Sequence, residues 1–556
     1  MSDDSIMEFK GSDLLVVELK RNGVGWISTL CGNGLDPFYV ACKKAGLRVV
    51  DTHNEQAAAY MADACARLTG KVGVCAVSSG VAHSNALTGI VNAYFDGAPV
   101  LLITGASRGY RSGKGVFQEL DQPGLASPVC KLARAVDRID DLQFAVRQAF
   151  ATALSGRYGP VHLTIPVHIM EGTVDIALQK ESGLQDLSVT PPALPSMDLV
   201  KKAVELIGGS QRPLLVAGTG VYYAHAQEAM IKFSEVTGIP IVTPIWDRGS
   251  VDRPHPNFMG VIGAASGEPR LLADADLIIM AGARVDYRVG FLSSPAIQAD
   301  ARIIRIDSDP SQLMQGVESN LALLASLPEG FKQITEHYEH TGGNPHTKWL
   351  QEARERSRRF RSRWIEESVA DTPITGRHIV DAIRPLLNED VVFLIDGGNI
   401  GQWAHIALAN DRYPGNWLTC GASAVVGWGI PGAMAARLVF PSKRILLLSG
   451  DGSFGFTITE LEAALRQELP FVAVVANDKS WGIVTVGQRR FCGEEGVIAS
   501  TTSEIRFDRV AEAFGVNGVR VEDPKELGRV ILEGFSSTRP TIINVPICVA
   551  APFAWD

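Results

Sequence analysis

The fold is decided by RILLLSGDGSFGFTITELEAALRQELPFVAVVANDKSWG, residues 444–482. Two apolar runs, Arg444 to Leu448 and Val472 to Ala476, read as buried strands, and the stretch Thr457 to Glu468 between them reads as a helix. Strand, helix, strand over this length predicts a crossover unit with two parallel strands. The turn after the first strand is Gly450-Asp451-Gly452-Ser453. Glycines there let backbone N–H groups face an anion, of which phosphate is the commonest. A carboxylate beside a phosphate is repulsive unless a cation lies between them, so Asp451 points to Mg²⁺ or Ca²⁺ bridging a diphosphate. The second strand ends in Asn477-Asp478-Lys479-Ser480-Trp481-Gly482, which puts a second carboxylate 27 residues after Asp451. Adjacent parallel strands bring both to one sheet edge, where open α/β sheets bind ligands.

The alternation continues outward. Gly25 to Leu30, Val72 to Val77 and Val100 to Thr104 read as strands separated by helices Glu55 to Leu68 and Ser84 to Phe95. A second set comprises Leu214 to Ala217, Ile239 to Val242, Leu277 to Ala281 and Ile303 to Ile306. The third comprises Val391 to Ile395, Ile445 to Leu448, Val472 to Ala476 and Thr541 to Val545. A Pro-rich, aperiodic break from about Val174 to Asp198, with Pro191, Pro192 and Pro195, separates the first set from the second. The expected architecture is α/β, three doubly wound parallel-sheet domains at 1–180, 195–342 and 365–556. Between the last two runs the helix Lys348 to Trp364, with six arginines from Arg354 to Arg363. Glu352 and Glu355 interleave with them, which favours a solvated interdomain helix over a nucleic-acid surface.

Composition sets the class. The chain has 556 residues, 46% of them hydrophobic and 20% charged, which suits a globular protein of three or four packed units and excludes a small binding module. A net charge of −9 disfavours nucleic acid and anionic membranes as partners. No apolar run approaches the roughly 18 residues of a spanning helix. The acidic segment Met1 to Lys10 lacks a leader pattern, so the expected location is cytoplasmic. Eight scattered cysteines without metal-ligand spacing read as reduced core thiols.

Gly450-Asp451-Gly452 followed by Asn477-Asp478 resembles the signature of the thiamine-diphosphate-dependent decarboxylase and carboligase superfamily. The resemblance spans the chain as pyrimidine-binding, middle and diphosphate-binding domains. Acetolactate synthase and benzaldehyde lyase look most similar, through Gly450 to Leu461, Ser78 to Gly89 and Phe117 to Lys131. It implies thiamine diphosphate with Mg²⁺ held by Asp451, Asp478 and the carbonyl of Ser480. Asp478 departs from the usual Asn and adds a negative charge, which favours metal and disfavours diphosphate. It implies that Glu55, in Thr52-His53-Asn54-Glu55, holds the pyrimidine N1′ and so promotes loss of the thiazolium C2 proton. It implies further cofactor contacts from Ser78, Asn399, Ile400, Gly450, Gly452, Ser453, Trp481, Gly482 and Ile483. The Ala424 carbonyl would take the 4′-amino group, and Val426, smaller than the usual Met, Leu or Ile, would prop the rings.

On the substrate side the resemblance implies Asn33, Gly34, Phe117, Gln118, Trp481 and Ile483, with Gln118 the leading polar contact for a carbonyl oxygen. His83 stands equally as a catalytic or a packed histidine. Gly34 replaces the histidine of benzaldehyde lyase, Gly487 lies where acetolactate synthases carry a tryptophan, and Ser79-Gly80-Val81-Ala82 replaces their Ser-Gly-Pro-Gly. The expected function is formation or cleavage of a C–C bond next to a carbonyl, in a 2-oxo acid or 2-hydroxy ketone, by a homodimer or homotetramer with its active site at the subunit interface. Two alternatives stand beside it. One is a 2-hydroxyacyl-CoA lyase or oxalyl-CoA decarboxylase type of enzyme, with Gln488-Arg489-Arg490 or the C-terminal tail meeting the nucleotide. The other is an inactive, cofactor-binding assembly or regulatory subunit. Gly218-Thr219-Gly220 is only a fragment of a dinucleotide fingerprint, so FAD or ADP in the middle domain stands level with an empty one.

Overall fold

The computed structural model describes residues 8–108, 113–175, 193–251, 253–263, 270–362, 373–411, 413 and 416–549. Met1 to Met7, most of the Pro-rich break including Pro191 and Pro192, the end of the charged helix at Trp364 and the tail from 550 lie outside these residues.

Three six-stranded sheets, every pairing in them parallel, carry the fold. The first contains β1 (Trp26–Leu30), β2 (Arg48–Asp51), β3 (Gly73–Val77), β4 (Val100–Ala106), β5 (Leu132–Ala135) and β6 (Val161–Pro166), in the order β2-β1-β3-β4-β6-β5. Helices α1 (Glu55–Thr69) and α2 (Val81–Asp96) pack side by side on it. Small residues make this close approach feasible. A Cβ on Gly89 of α2 would stand 2.5 Å from the Ala59 Cβ of α1, and one on Gly73 of β3 would stand 2.0 Å from the Ala62 carbonyl oxygen.

The second sheet contains β7 (Pro213–Ala217), β8 (Ile241–Pro244), β9 (Phe258–Ile262), β10 (Leu277–Ala281), β11 (Arg302–Asp307) and β12 (Leu321–Leu324), in the order β9-β8-β7-β10-β11-β12. The strand expected from Ile239 begins at Ile241 instead. Pro240 has no amide proton to give, and the Ile241 N–H donates to the Asn257 carbonyl, just before β9, at 2.8 Å. The charged helix α3 (Thr347–Ser362) follows and buries Trp349, Leu350, Ala353 and Ser357 on one face.

The third sheet contains β13 (Val391–Asp396), β14 (Trp417–Thr419), β15 (Arg444–Gly450), β16 (Val472–Asn477), β17 (Asn517–Arg520) and β18 (Thr541–Pro546), in the order β14-β13-β15-β16-β18-β17. Each of its three inner turns leads into a helix: α4 (Gly398–Leu408) after β13, α5 (Asp451–Phe456) after β15 and α7 (Gly482–Cys492) after β16. The helix expected over Thr457 to Glu468 is shorter, α6 (Glu460–Arg466), and a separate short helix, α5, precedes it. Gly450, in extended conformation, is the N-cap, so helical backbone starts at Asp451 itself.

Two further expectations are corrected. The break expected from Val174 starts later, because Thr173–Asp175 pairs antiparallel with Glu8–Lys10. All eight cysteines are free, but Cys31 and Cys492 are exposed, while Cys42, Cys75 and Cys420 are buried. By packing, the chain divides into two compact units: Met1–Thr190 with Ile430–Val439 and Thr459–Gln467, and Pro191–Gly429 with Phe440–Ile458 and Glu468–Asp556. Among the described residues no helix is long and apolar enough to cross a membrane.

Candidate active site

In the second unit the candidate cofactor residues gather at the carboxyl edge of the third sheet. Register places Asp396 beside Ser449 and Gly450 beside Ala476, so β13, β15 and β16 end side by side. The strand order reverses direction between β13 and β15, which makes this edge a topological switch point. Helices α4, α5 and α7 all present their N-termini here, and their free N–H groups favour an anion. Glycine permits the turns to interlock. A Cβ on Gly398 would meet Ile483 at 2.5 Å, one on Gly452 the Trp481 ring at 2.8 Å, and one on Gly482 the Asp478 Oδ2 at 2.4 Å. Gly397, at φ +111°, would push a Cβ to 2.8 Å from the Gly450 nitrogen. Asn399, Ile400, Gly450, Gly452, Ser453, Asp478, Ser480, Trp481, Gly482 and Ile483 therefore surround one edge.

Two carboxylates face each other there. Asp451 is 6% exposed and accepts from the N–H groups of Gly452, Lys479 and Ser480. Asp478 accepts from the Ser480 N–H at 3.1 Å and its hydroxyl at 2.9 Å, and from the Asn399 amide at 3.5 Å. Burial holds both carboxyls above the usual carboxylate range, and the Asp478 charge raises Asp451 further. A buried and a half-buried carboxylate that resist joint ionisation form a donor set that a divalent cation satisfies, while three helix N-termini supply the matching anion site. The residues present thus fit a metal diphosphate. Loop 421–428 lies in the same unit, with Ala424 at φ +53° and exposed, Val426 half-buried, and the Gly427 carbonyl held by the Thr457 hydroxyl at 2.8 Å.

In the first unit Glu55 is the first residue of α1, behind an Asn54 cap whose side chain accepts from the Gln56 N–H. Its Oε2 accepts from the Asn85 amide of α2 at 2.7 Å, which fixes a half-buried carboxylate at the helix start. The substrate-side candidates form a second cluster. The Ser78 hydroxyl donates to the Asn33 carbonyl at 2.9 Å, and Gly34, at φ +93°, lies against Gly105 and Ala106. Gln118, at φ +54°, accepts from the Ser79 hydroxyl at 3.4 Å, and Phe117 beside it is 67% exposed. Gly80 tolerates the Gln118 carbonyl only because it lacks a Cβ, which would lie 2.6 Å from that oxygen.

His83 belongs elsewhere. Its side chain is fully buried, its Nδ1 lies 3.1 Å from the Thr104 hydroxyl, and its ring packs on His162 at 4.7 Å. Burial pushes its pKa down to about 4, so it is a neutral core residue beneath the loop and not a group that reaches solvent. The fragment Gly218-Thr219-Gly220 is spoken for by protein. Both glycines pack on Gly282, and the Thr219 N–H donates to the Asp247 carboxylate, which also pairs with Arg288.

Four site residues escaped the sequence reading. Asn85 clamps Glu55, and Gln122 accepts from the Gly80 N–H at 2.8 Å. Asp396, 1% exposed, accepts from the Gly429 N–H at 2.7 Å and from Ser453, tying β13 to the Gly450–Ser453 turn; burial pushes it up to about 7. Glu460 is fully buried and accepts from the His53 N–H at 3.1 Å, two residues before Glu55. Of these, only Asp396 left a signal, an acid ending an apolar strand and followed by two glycines.

Comparison with known proteins agrees with this geometry. Residues 9–125, 200–334 and 396–545 match, in turn, the N-terminal TPP binding domain, the central domain and the C-terminal TPP binding domain of thiamine pyrophosphate enzymes. An acetolactate synthase large subunit from Parasynechococcus marenigrum is 30% identical over 97% of this chain and 87% of its own length. A probable acetolactate synthase large subunit from Methanococcus aeolicus is 27% identical over 97% of the chain and 92% of its own. A 2-hydroxyacyl-CoA lyase 2 from Danio rerio is 29% identical over 94% of the chain and 88% of its own. Sheet order, an edge whose residues fit a metal diphosphate, and whole-length similarity converge, and the chain belongs to the thiamine pyrophosphate enzyme family, as an enzyme that forms or cleaves C–C bonds.

Proposed function

We propose that this enzyme is a Mg²⁺-dependent carboligase acting on a 2-oxo acid, with a second small carbonyl compound as acceptor. The observation that carries the reading is the pairing of Asp451 and Asp478 at three helix N-termini, together with a clamped Glu55 at the head of α1. When bound, thiamine diphosphate supplies a carbanion equivalent at the substrate carbonyl carbon. Asp451, Asp478 and the Ser480 carbonyl hold the metal, and the N-termini of α4, α5 and α7 hold the diphosphate. The Ala424 carbonyl and the Val426 side chain fix the ring end. Glu55, oriented by Asn85, holds a proton on the pyrimidine nitrogen. Gln118 orients the substrate carbonyl, with Asn33, Gly34, Phe117, Trp481 and Ile483 as the rest of the pocket. The reading includes a cytoplasmic homodimer or homotetramer, in which Glu55 of one subunit serves the diphosphate edge of another.

Similarity to acetolactate synthases supports a 2-oxo acid donor, and 2-hydroxyacyl-CoA lyases matched at comparable identity keep a CoA thioester as the second reading. Incubation with thiamine diphosphate, Mg²⁺ and pyruvate, with all carbon products followed by mass spectrometry, separates them. Acetolactate or acetoin supports the proposal. Inert pyruvate beside cleavage of a 2-hydroxyacyl-CoA replaces it with the second reading.

A further inference from the structure

Gln118, proposed to orient the substrate carbonyl, stands at φ +54°. A glutamine holds that left-handed backbone only where its surroundings impose it. The first support is contact. A Cβ on Gly80 would lie 2.6 Å from the Gln118 carbonyl oxygen and 2.7 Å from its Cβ, so the Ser79-Gly80 loop is pressed against this residue. What holds the loop in turn is Gln122, which is 2% exposed.

Gln122 opens the short helix Gln122–Ala126, and the Asp121 cap, accepting from the Gly124 N–H at 2.9 Å, fixes its backbone. Its side chain then bridges fixed groups of opposite kind. Oε1 accepts from the Gly80 N–H at 2.8 Å, and Nε2 donates to the Gly105 carbonyl at 3.3 Å and to the Thr164 hydroxyl at 3.1 Å. A backbone N–H only gives a proton and a carbonyl only takes one, so a neutral amide is the side chain that serves both. Gly105, near the end of β4, packs on the other substrate-side turn. A Cβ there would stand 3.1 Å from the Gly34 carbonyl oxygen and 3.3 Å from that of Asn33. One buried amide thus sets the Asn33-Gly34 turn against the Ser79-Gly80 loop.

The layer behind Gln122 is tied in the same way. β4 and β6 pair with Thr104 beside Thr164, and both hydroxyls meet the His162 Nε2, at 3.0 and 3.3 Å. Thr104 also meets the His83 Nδ1 at 3.1 Å. Burial keeps both rings neutral, so the layer works by hydrogen bonds and not by charge. Among the described residues, the Gln122 side chain bonds to Gly80, Gly105 and Thr164, and to neither Glu55 nor its Asn85 clamp.

We propose that Gln122 is a positioning residue for the substrate: through Gly80 it fixes the Gln118 amide, and through Gly105 it fixes the Asn33-Gly34 turn, without touching substrate or cofactor. The assignment rests on Gln118 orienting the carbonyl. The test is a double-mutant cycle of Gln122→Met and Gln118→Ala in enzyme saturated with thiamine diphosphate and Mg²⁺. It reads kcat/KM for pyruvate, or for a 2-hydroxyacyl-CoA where pyruvate is inert, beside deuterium exchange at the cofactor C2. Gln122→Met keeps the length and loses the amide, so kcat/KM should fall about tenfold or more with C2 exchange unchanged. A defect in folding or in the cofactor site would slow exchange as well. In the Gln118→Ala background the same substitution should cost little more. Gln122→Asn, which keeps the amide on a shorter stem, should fall between wild type and Gln122→Met, and it takes the place of Gln122→Met in the cycle if that variant does not fold. Three results overturn the proposal: unchanged kcat/KM in Gln122→Met, exchange that falls in step with kcat/KM, or losses that add in the double variant. Unchanged kcat/KM in Gln118→Ala instead removes the role given to Gln118, and the proposal falls with it.

Discussion

Replacing Asp478 by Asn probes the charge arrangement at the diphosphate edge. Asn keeps an oxygen for the Ser480 N–H and hydroxyl, so the turn geometry has what it needs. What disappears is one of two like charges, on side chains close enough to hydrogen-bond. Two such charges about 4 Å apart at an effective dielectric of about 20 repel by about 4 kcal/mol, an upper value for a site open on one side. Both carboxyls are held above their unfolded values by the fold. The native state therefore binds protons more tightly than the unfolded chain, and metal-free stability falls as pH rises from about 4 through the raised native values. At pH 7.5, above the Asp451 value of about 7, the wild type carries a larger part of this cost than at pH 5, and Asp478→Asn does not. With EDTA present, the variant should melt higher, by at most about 8–16 °C, at about 2–4 °C per kcal/mol for a domain of this size. Added Mg²⁺ should raise the wild type more than the variant, because it loses one anionic ligand. Differential scanning fluorimetry at pH 5 and 7.5, with EDTA or Mg²⁺, reads all four conditions. A metal-free variant that melts no higher than wild type at pH 7.5, with an equal Mg²⁺ shift, would refute the reasoning.

Gly452→Ala should weaken cofactor binding at least tenfold, since its Cβ would enter the Trp481 ring at 2.8 Å and force the two turns apart; fluorescence titration of thiamine diphosphate measures it. Asn85→Ala should lower kcat with little change in KM, because it frees the Glu55 carboxylate without touching substrate; steady-state kinetics separates the two constants. Gly487 lies inside α7 with open space around its Cα, so Gly487→Ala should stabilise the protein by about 0.5–1 kcal/mol. Urea unfolding reads that gain, and a lower midpoint contradicts the open surroundings.

The diphosphate edge was legible because its parts are local. Gly450-Asp451-Gly452 and Asn477-Asp478 sit at the ends of two strands joined by one crossover, so chain spacing alone implies proximity. Long-range partners were not legible. Asn85 meets Glu55 across 30 residues because small side chains draw α1 and α2 together, and nothing at position 85 itself announces that contact. Glu460 bonds the His53 backbone across 407 residues, and its helix, read as part of the third domain, packs into the compact unit of residues 1–190. His83 stood level between chemistry and packing; only the sheet beneath it reveals that Thr104 and His162 enclose the ring.

The most direct test of the central claim is exchange of the thiamine diphosphate C2 proton for deuterium, followed by quenched-flow NMR on wild type and Glu55→Gln at saturating cofactor. General acid–base assistance by a positioned side chain contributes roughly 10²–10⁴-fold. The account predicts a loss of exchange rate in that range in the variant, with cofactor still bound. Exchange at the wild-type rate in Glu55→Gln would contradict it.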